Sequence, residues 1–514
     1  MSLGRGEAPD VIADARLTGS DRTDPFGSDP VDIHLADGLV VDVAPAGALP
    51  RSGRVLDADG GWVVPGLWDH HVHTVQWALS AQRVPLGGAT SAAHAAALMG
   101  AAAPLPDGRR VGSGFRDAFW PDTPALATLD AATGDVPTYL INADVHSVWL
   151  NTAALRREGF EPDDSGILRE EPAFEISRRL NAVDASVSDP LVDRMATDAA
   201  SRGVVGLVDL DMSWNEDAWV RRLAAGFDAL RVSFGIYPQF LDRAIAEGLQ
   251  TGDVARGAAS GSSARSATGS RSSELVRVGP LKVITDGSLG TRTAACSHAY
   301  PGDPHNHGVI SVDLATLVDL MTRATAAGIA SAIHAIGDVA NSHALDAFTA
   351  TGAWGTIEHA QLVAHSDIPR FARLGVGASV QPEHAVDDRD LTDTVWAGQT
   401  AQPYPLRALA DSGANLLFGS DAPVSPLDPW AAMAAAVFRT RDGREPWQPH
   451  QRVDAATALS ASTRGGSARP ARVEPGDLGD LAVCEHDPLA ADEAQLRSMR
   501  VSATLLGGRL THVA

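Results

Sequence analysis

Two histidines one residue apart, His71 and His73 in the run Asp69-His70-His71-Val72-His73, are the first residues able to do chemistry. In an extended chain residues i and i+2 face the same way, so the pair can offer two imidazoles to one metal ion. Two ordinary polar histidines would share that pattern. Of the 41 basic residues a single one, Lys282, is lysine. Arginine replaces lysine as a surface charge but cannot supply an uncharged, nucleophilic amine. Lys282 lies in Leu-Lys-Val-Ile-Thr-Asp-Gly between apolar neighbours. Burial lowers the pKa of an amine, and a neutral amine can add CO2 to become an anionic carbamate. His334 closes Ala-Ser-Ala-Ile-His, His359 closes Gly-Thr-Ile-Glu-His, and Asp421 follows Leu-Leu-Phe-Gly-Ser. Each alone fits an inert role: a satisfied core histidine, a snorkelling lysine, a helix N-cap aspartate. As a set without a thiolate cluster they suit Zn²⁺ or a related divalent ion. A carbamate on Lys282 would bridge two such ions. Ions about 3.5–4 Å apart can acidify one shared water, with Asp421 collecting and returning its proton. The reaction class is metal-assisted hydrolysis.

These residues need elements to bring them together. Apolar runs ending in polar residues alternate with Ala-rich helical stretches, the pattern of βα units and a parallel sheet. Eight such strands are expected at residues 66–69, 204–210, 229–237, 281–285, 329–334, 354–359, 375–381 and 415–420. Eight favour a closed (β/α)8 barrel, whose chemistry sits at the C-terminal strand ends. The residues above lie at the ends of strands one, four, five, six and eight.

The rest of the chain frames this middle. Residues 10–66 read as short strands (11–17, 31–35, 38–43 and 53–57), and 480–485 and 503–511 have the same character. Both ends are therefore expected to build one small β domain. Residues 87–200 interrupt the barrel rhythm as an inserted, mainly helical lobe. Residues 251–273, rich in Gly, Ala and Ser, read as a flexible surface loop. With 514 residues, 44 % of them apolar, roughly three folding units with a large core are expected. The net charge of −23 argues against nucleic acid or an anionic membrane as partner. No run reaches the roughly 20 apolar residues of a membrane span, and the first residues lack a signal peptide's apolar core. Two cysteines, Cys296 and Cys484, exclude a disulfide framework. A soluble, cytoplasmic protein acting on a small molecule is expected.

The segments VVPGLWDHHVH, LKVITDGSLGTRTA, HAIGD, IEHAQLV, SVQPEHA and FGSDAPVSPLDP, in order between about Gly61 and Pro429, resemble the amidohydrolase superfamily. Within it they are similar to the branch of N-substituted formamide deformylase-like metal-dependent hydrolases. The C-terminal EPGDLGDLAV and ATLLGGRL resemble that superfamily's returning β-sandwich. The resemblance implies an α/β fold: a (β/α)8 barrel with a composite β-sandwich from both termini and an inserted mainly helical lobe. The β-sandwich would take residues 1–65 and 471–514, the first barrel strand 66–86, the lobe 87–200 and the catalytic barrel 201–470. It implies hydrolysis of an amide- or formamide-type C–N bond. His71 and His73 would bind the more buried of two Zn ions, a carboxylated Lys282 would bridge, and His334 and His359 would bind the second. Asp421 would be both ligand and general base. A homodimer is the assembly it implies.

NADVHSVWLNTAAL resembles the family's D-G-H-A-x-x-x-N-x-x-A-L segment, placing His146 near substrate; Val145 stands where the family has glycine. His70 replaces the usual small residue and should point to the opposite strand face. Arg292 could orient a substrate carbonyl or carboxylate, or tie down its own loop. His384 is a further expected substrate contact. Phe115, Trp120 and Trp149 could wall the pocket or form the lobe's own core. His298, His305 and His307 read as a solvated loop rather than a lid or second metal site. The same centre could hydrolyse an ester, lactone or phosphoester, and a non-catalytic regulatory barrel is the reading from another class.

Overall fold

The eight apolar runs of the middle pair in chain order. In the computed structural model, which describes residues 3–18, 29–256 and 274–514, they are β1 (Leu67–Val72), β2 (Val204–Asp209), β3 (Arg231–Ile236), β4 (Val276–Ile284), β5 (Ser331–Ala335), β6 (Gly355–His359), β7 (Gly377–Val380) and β8 (Leu416–Phe418). Each is parallel to its neighbours. β1, β5 and β7 are buried along their whole length, as strands covered on both faces must be. Register sets the strand ends level: Ile284 lies opposite His334, and His334 opposite Glu358. Residues just beyond the apolar runs therefore meet at one rim.

The seam between β8 and β1 closes through fewer bonds. The Asp421 N–H donates to the His71 carbonyl (2.7 Å) and the His73 N–H to the Ala422 carbonyl (2.9 Å). Gly419 makes the approach possible, since a Cβ there would sit 2.7 Å from the His71 nitrogen. Helices Leu314–Ala326 and Asp338–Thr351 pack together outside the barrel, burying Leu317, Met321, Leu345 and Phe348 in its core.

The inserted lobe carries helices, among them Ala92–Ala101 and Glu171–Asn181, but its spine is a sheet that the sequence did not suggest. Five strands run in the order Ile167–Arg169, Ser147–Leu150, Thr138–Asn142, Arg110–Phe115, Val84–Pro85. They are short, and their apolar runs carry no period-2 alternation. Helix Ala185–Ala200, at the end of the segment assigned to the lobe, packs Val192, Met195 and Ala199 into the barrel core instead.

The two chain ends share one eight-stranded sheet, in the order Arg509–Val513, Val501–Leu506, Leu481–Cys484, Trp62–Pro65, Val11–Leu17, Val31–Ala36, Leu39–Pro45, with Val55–Asp57 beside Val11–Leu17. The run 503–511 is thus not one strand but two, turned at Gly507-Gly508. Strand Val11–Leu17 is common to both halves of the sheet. A bulge at Asp14, with φ 52°, bends it, so that Ile33 of one half meets Leu505 and Val483 of the other in a single core. Residues 257–273, most of the low-complexity run, lie outside the described residues. Among the described residues no helix is long and apolar enough to cross a membrane.

Candidate metal centre

His71 and His73 leave β1 on the same side, with ring centroids 5.5 Å apart. His70 faces the other way, its Nε2 bonded to the Thr463 carbonyl at 2.9 Å, as expected from strand alternation. The His71 Nδ1 donates to Glu358 Oε2 at 2.7 Å, leaving Nε2 free to act as a ligand. His359 is fixed likewise: Nδ1 donates to Gln381 Oε1 at 2.8 Å. Such outer partners set the tautomer and ring orientation of a metal-binding histidine. The His359 ring lies 4.9 Å from His71 and 4.5 Å from His334. Consecutive strand residues normally face opposite sides. Here His359 has φ 75°, and this left-handed turn lets both Glu358 and His359 reach the same centre.

Lys282 on β4 is 1 % exposed, and its Nζ has no hydrogen-bond partner. Burial pulls its pKa down to about 8, against the raising influence of Glu358 and Asp421. Burial also lowers the pKa of His71, His334 and His359, keeping them neutral. Asp421 (φ 57°) brings Oδ1 to 3.5 Å from His71 Nε2 and 3.3 Å from His73 Nε2. Burial opposes its ionisation, yet His71, His73 and His384 hold its pKa well below the usual carboxylate range. Non-glycine residues in the left-handed region persist only where surrounding structure imposes them, and they gather at functional sites.

All six residues expected as ligands face one cavity of about 230 Å³. Among its buried walls Lys282 Nζ, His334 Nε2, His73 Nδ1, His384 Nε2 and Asp421 Oδ1 have no hydrogen-bond partner. Buried polar atoms are nearly always paired, so the orphaned Lys282 Nζ, His334 Nε2 and Asp421 Oδ1, gathered in one cavity, fit a divalent cation. Two triads offer ligand atoms within 4.8 Å of one another: His71, His73, Asp421 and His359, His384, Asp421.

Of the substrate-contact residues, His384 and His146 line this cavity. His146 belongs to the lobe; its Nδ1 bonds Glu170 Oε2 at 3.0 Å and its ring lies 5.5 Å from His334. Arg292 does not line it: it is exposed, with φ 57°, and Arg116 is the arginine at the wall. Nor does Trp120, whose Nε1 donates to the Ala89 carbonyl while its ring packs 5.6 Å from Phe115. Phe115, Trp120 and Trp149 belong to the lobe's own core. His298, His305 and His307 are exposed and join no metal-ligand group among the described residues.

The sequence reading missed Glu358 and Gln381 as partners of the ligands and Gln361 as a partner of His384, as well as two aspartates that assemble the rim. Asp69 accepts the His71 N–H (3.1 Å) within β1 and the Ser420 N–H (2.9 Å) across the seam. Asp286 accepts three N–H groups, from Ala295, Ile336 and Gly337 at 2.8–3.0 Å. Glu358 did carry a signal, directly preceding His359, and Gln381 ends the seventh expected strand three residues before His384.

Fold and site together define a metal-dependent hydrolase on a (β/α)8 barrel. Residues 54–512 match the model of the Amidohydrolase family, and the chain belongs to that family, whose members act on carbon–nitrogen bonds other than peptide bonds. It is 27 % identical to Protein LONG AFTER FAR-RED 3 of Arabidopsis thaliana, covering 88 % of this chain and 83 % of that one. It is 26 % identical to N-substituted formamide deformylase of Arthrobacter pascens, covering 91 % of each. Among solved structures, an uncharacterized metal-dependent hydrolase from Pyrococcus horikoshii OT3 superposes with TM-score 0.76 at 25 % identity, covering 94 % of this chain and 99 % of that one.

Proposed function

We propose that this amidohydrolase cleaves an amide- or formamide-type C–N bond of a small organic substrate. The observation that carries the reading is the convergence of His71, His73, Lys282, His334, His359 and Asp421 on one cavity, with Lys282 Nζ, His334 Nε2 and Asp421 Oδ1 buried and unpartnered. His71, His73, Lys282, His334, His359 and Asp421 would hold two divalent ions, Zn²⁺ being the best match to imidazole and carboxylate donors. Bound there, such ions supply Lewis acidity and lower the pKa of water.

The chain's own residues do the rest. Lys282 attacks CO2 through its nitrogen, a new N–C bond forms, and one proton leaves to solvent; the carbamate oxygens then replace a buried amine that has no partner. Glu358 and Gln381 hold His71 and His359 in ligating orientation. Asp421, ionised at neutral pH, accepts the proton of the attacking water and passes it to the departing nitrogen. The Arthrobacter pascens relative is named an N-substituted formamide deformylase, which supports a substrate of that class. Cytoplasmic residence accords with two buried, unpaired cysteines, and a small-molecule substrate rather than nucleic acid or an anionic membrane accords with the chain's net charge of −23.

Metal analysis of protein prepared without chelator tests the reading, with two divalent ions per chain expected. Fully folded protein free of Zn, Mn, Fe and Co would overturn it. N-substituted formamides, other amides, a lactone and a phosphotriester assayed side by side should show turnover of the first two.

A further inference from the structure

We infer that His384 donates a hydrogen bond from Nε2 to the substrate's carbonyl oxygen, and that Gln361 positions it by fixing its tautomer. This deepens the hydrolase reading above and rests on it.

His384 sits on the short helix Pro382–Asp387 that follows β7. It is 5 % exposed, its ring lies parallel to that of His359 with centroids 6.4 Å apart, and its Nε2 has no partner. Its Nδ1 is 3.4 Å from the side-chain nitrogen of Gln361, itself buried. An amide NH2 only donates, so Nδ1 is the ring nitrogen with the free lone pair and the proton is on Nε2. A protonated nitrogen cannot ligate a cation. His384 therefore stands within 4.8 Å of ligand atoms of His359 and Asp421 without being a ligand. Its N–H faces the cavity beside the base, where a planar acyl group would present its oxygen.

When water attacks the acyl carbon, the new C–O bond forms and the C=O π pair moves onto oxygen. That oxygen gains negative charge and draws the Nε2–H hydrogen bond tighter; no proton changes owner at His384. Donors aimed at developing charge in a buried site are worth about 10²–10³ in rate. Gln361 touches neither substrate nor metal in this scheme and acts through His384 alone.

The test compares wild type, His384→Asn, His384→Gln and Gln361→Glu. Metal content per chain, ring ¹⁵N spectra of histidine-labelled protein and hydrolysis of formanilide are the readouts. Metal content should be unchanged in all three variants. The signal lost in His384→Asn should be that of an Nε2–H tautomer, and Gln361→Glu should convert it to Nδ1–H, because a carboxylate accepts where an amide donates. For both His384 variants kcat should fall about 100-fold or more with KM within a few-fold. Loss of an ion in both His384 variants, or an Nδ1–H tautomer in wild type, would make His384 a ligand and overturn the inference. Wild-type protein without divalent metal would instead sink the hydrolase reading. The metal count and the spectrum decide whether or not formanilide is turned over.

Discussion

Lys282 is the residue on which the charge balance of the centre turns. In the proposed two-ion centre, neutral histidines and one carboxylate would leave the ions poorly compensated, and a carbamate on Lys282 would add the missing negative charge. Lys282→Arg keeps a cation in that position and forbids the carbamate. We expect at least a 100-fold loss of hydrolysis, with the circular dichroism spectrum retained; full activity would remove the carbamate from the scheme. Glu358→Gln tests the outer layer, because a neutral amide oxygen accepts the His71 Nδ1–H more weakly than a carboxylate does. Metal affinity should weaken about 10–100-fold, read by competition with a chelator. At this scale the sequence was informative where spacing implied geometry. His71 and His73 two apart on a strand, and single polar residues ending apolar runs, mapped directly onto the cavity wall. Glu358 escaped because alternation assigns it to the face opposite His359, and only the left-handed φ at His359 reunites them. Arg292 and Trp120 failed for a related reason: a loop residue's direction follows from contacts that local pattern does not encode.

The weakest joint among the elements is the seam between β1 and β8. It relies on a few backbone bonds, on Asp69 bridging both strands, and on Gly419 lacking a side chain. Gly419→Ala should push His71 away, since the added Cβ would lie 2.7–2.8 Å from its nitrogen and Cβ. Overpacking of this kind costs about 1–3 kcal/mol. The variant should lose thermal stability and bind metal more weakly, as differential scanning calorimetry with and without added Zn²⁺ would show. A variant with unchanged metal affinity would mean that the seam does not set the position of His71. All eight barrel strands could be read from the chain because each is a buried apolar run with turn residues at its ends. The lobe's sheet could not. Ser147–Leu150 and Ile167–Arg169 span four and three residues, too few for a period to emerge. The hairpin at 507–508 was passed over because two short strands around Gly-Gly resemble one longer alternating run.

For the molecule as a whole, acid stability should depend on the terminal sheet. Asp32 is buried there and accepts from Arg51 and from the N–H groups of Asp14 and Gly47. Burial works against its charge, but these bonds leave its pKa below the ordinary 3.8. A carboxylate whose pKa is lower folded than unfolded adds stability above the unfolded value and loses it as pH falls through the folded one. Wild type should therefore lose stability below about pH 4 more steeply than Asp32→Asn, which is weaker at neutrality, in melting curves taken from pH 7 to 3. Removal of metal should act elsewhere: Tm falls with chelation and recovers with Zn²⁺, by about 4 kcal/mol where free ion is ~1,000 times its Kd. The same sheet also orders events in time. Trp62–Pro65, which delivers the chain into β1, pairs on one side with Leu481–Cys484, a strand made hundreds of residues later. During synthesis one edge of the strand leading to the first two histidines therefore stays open until residues 481–484 have emerged from the ribosome.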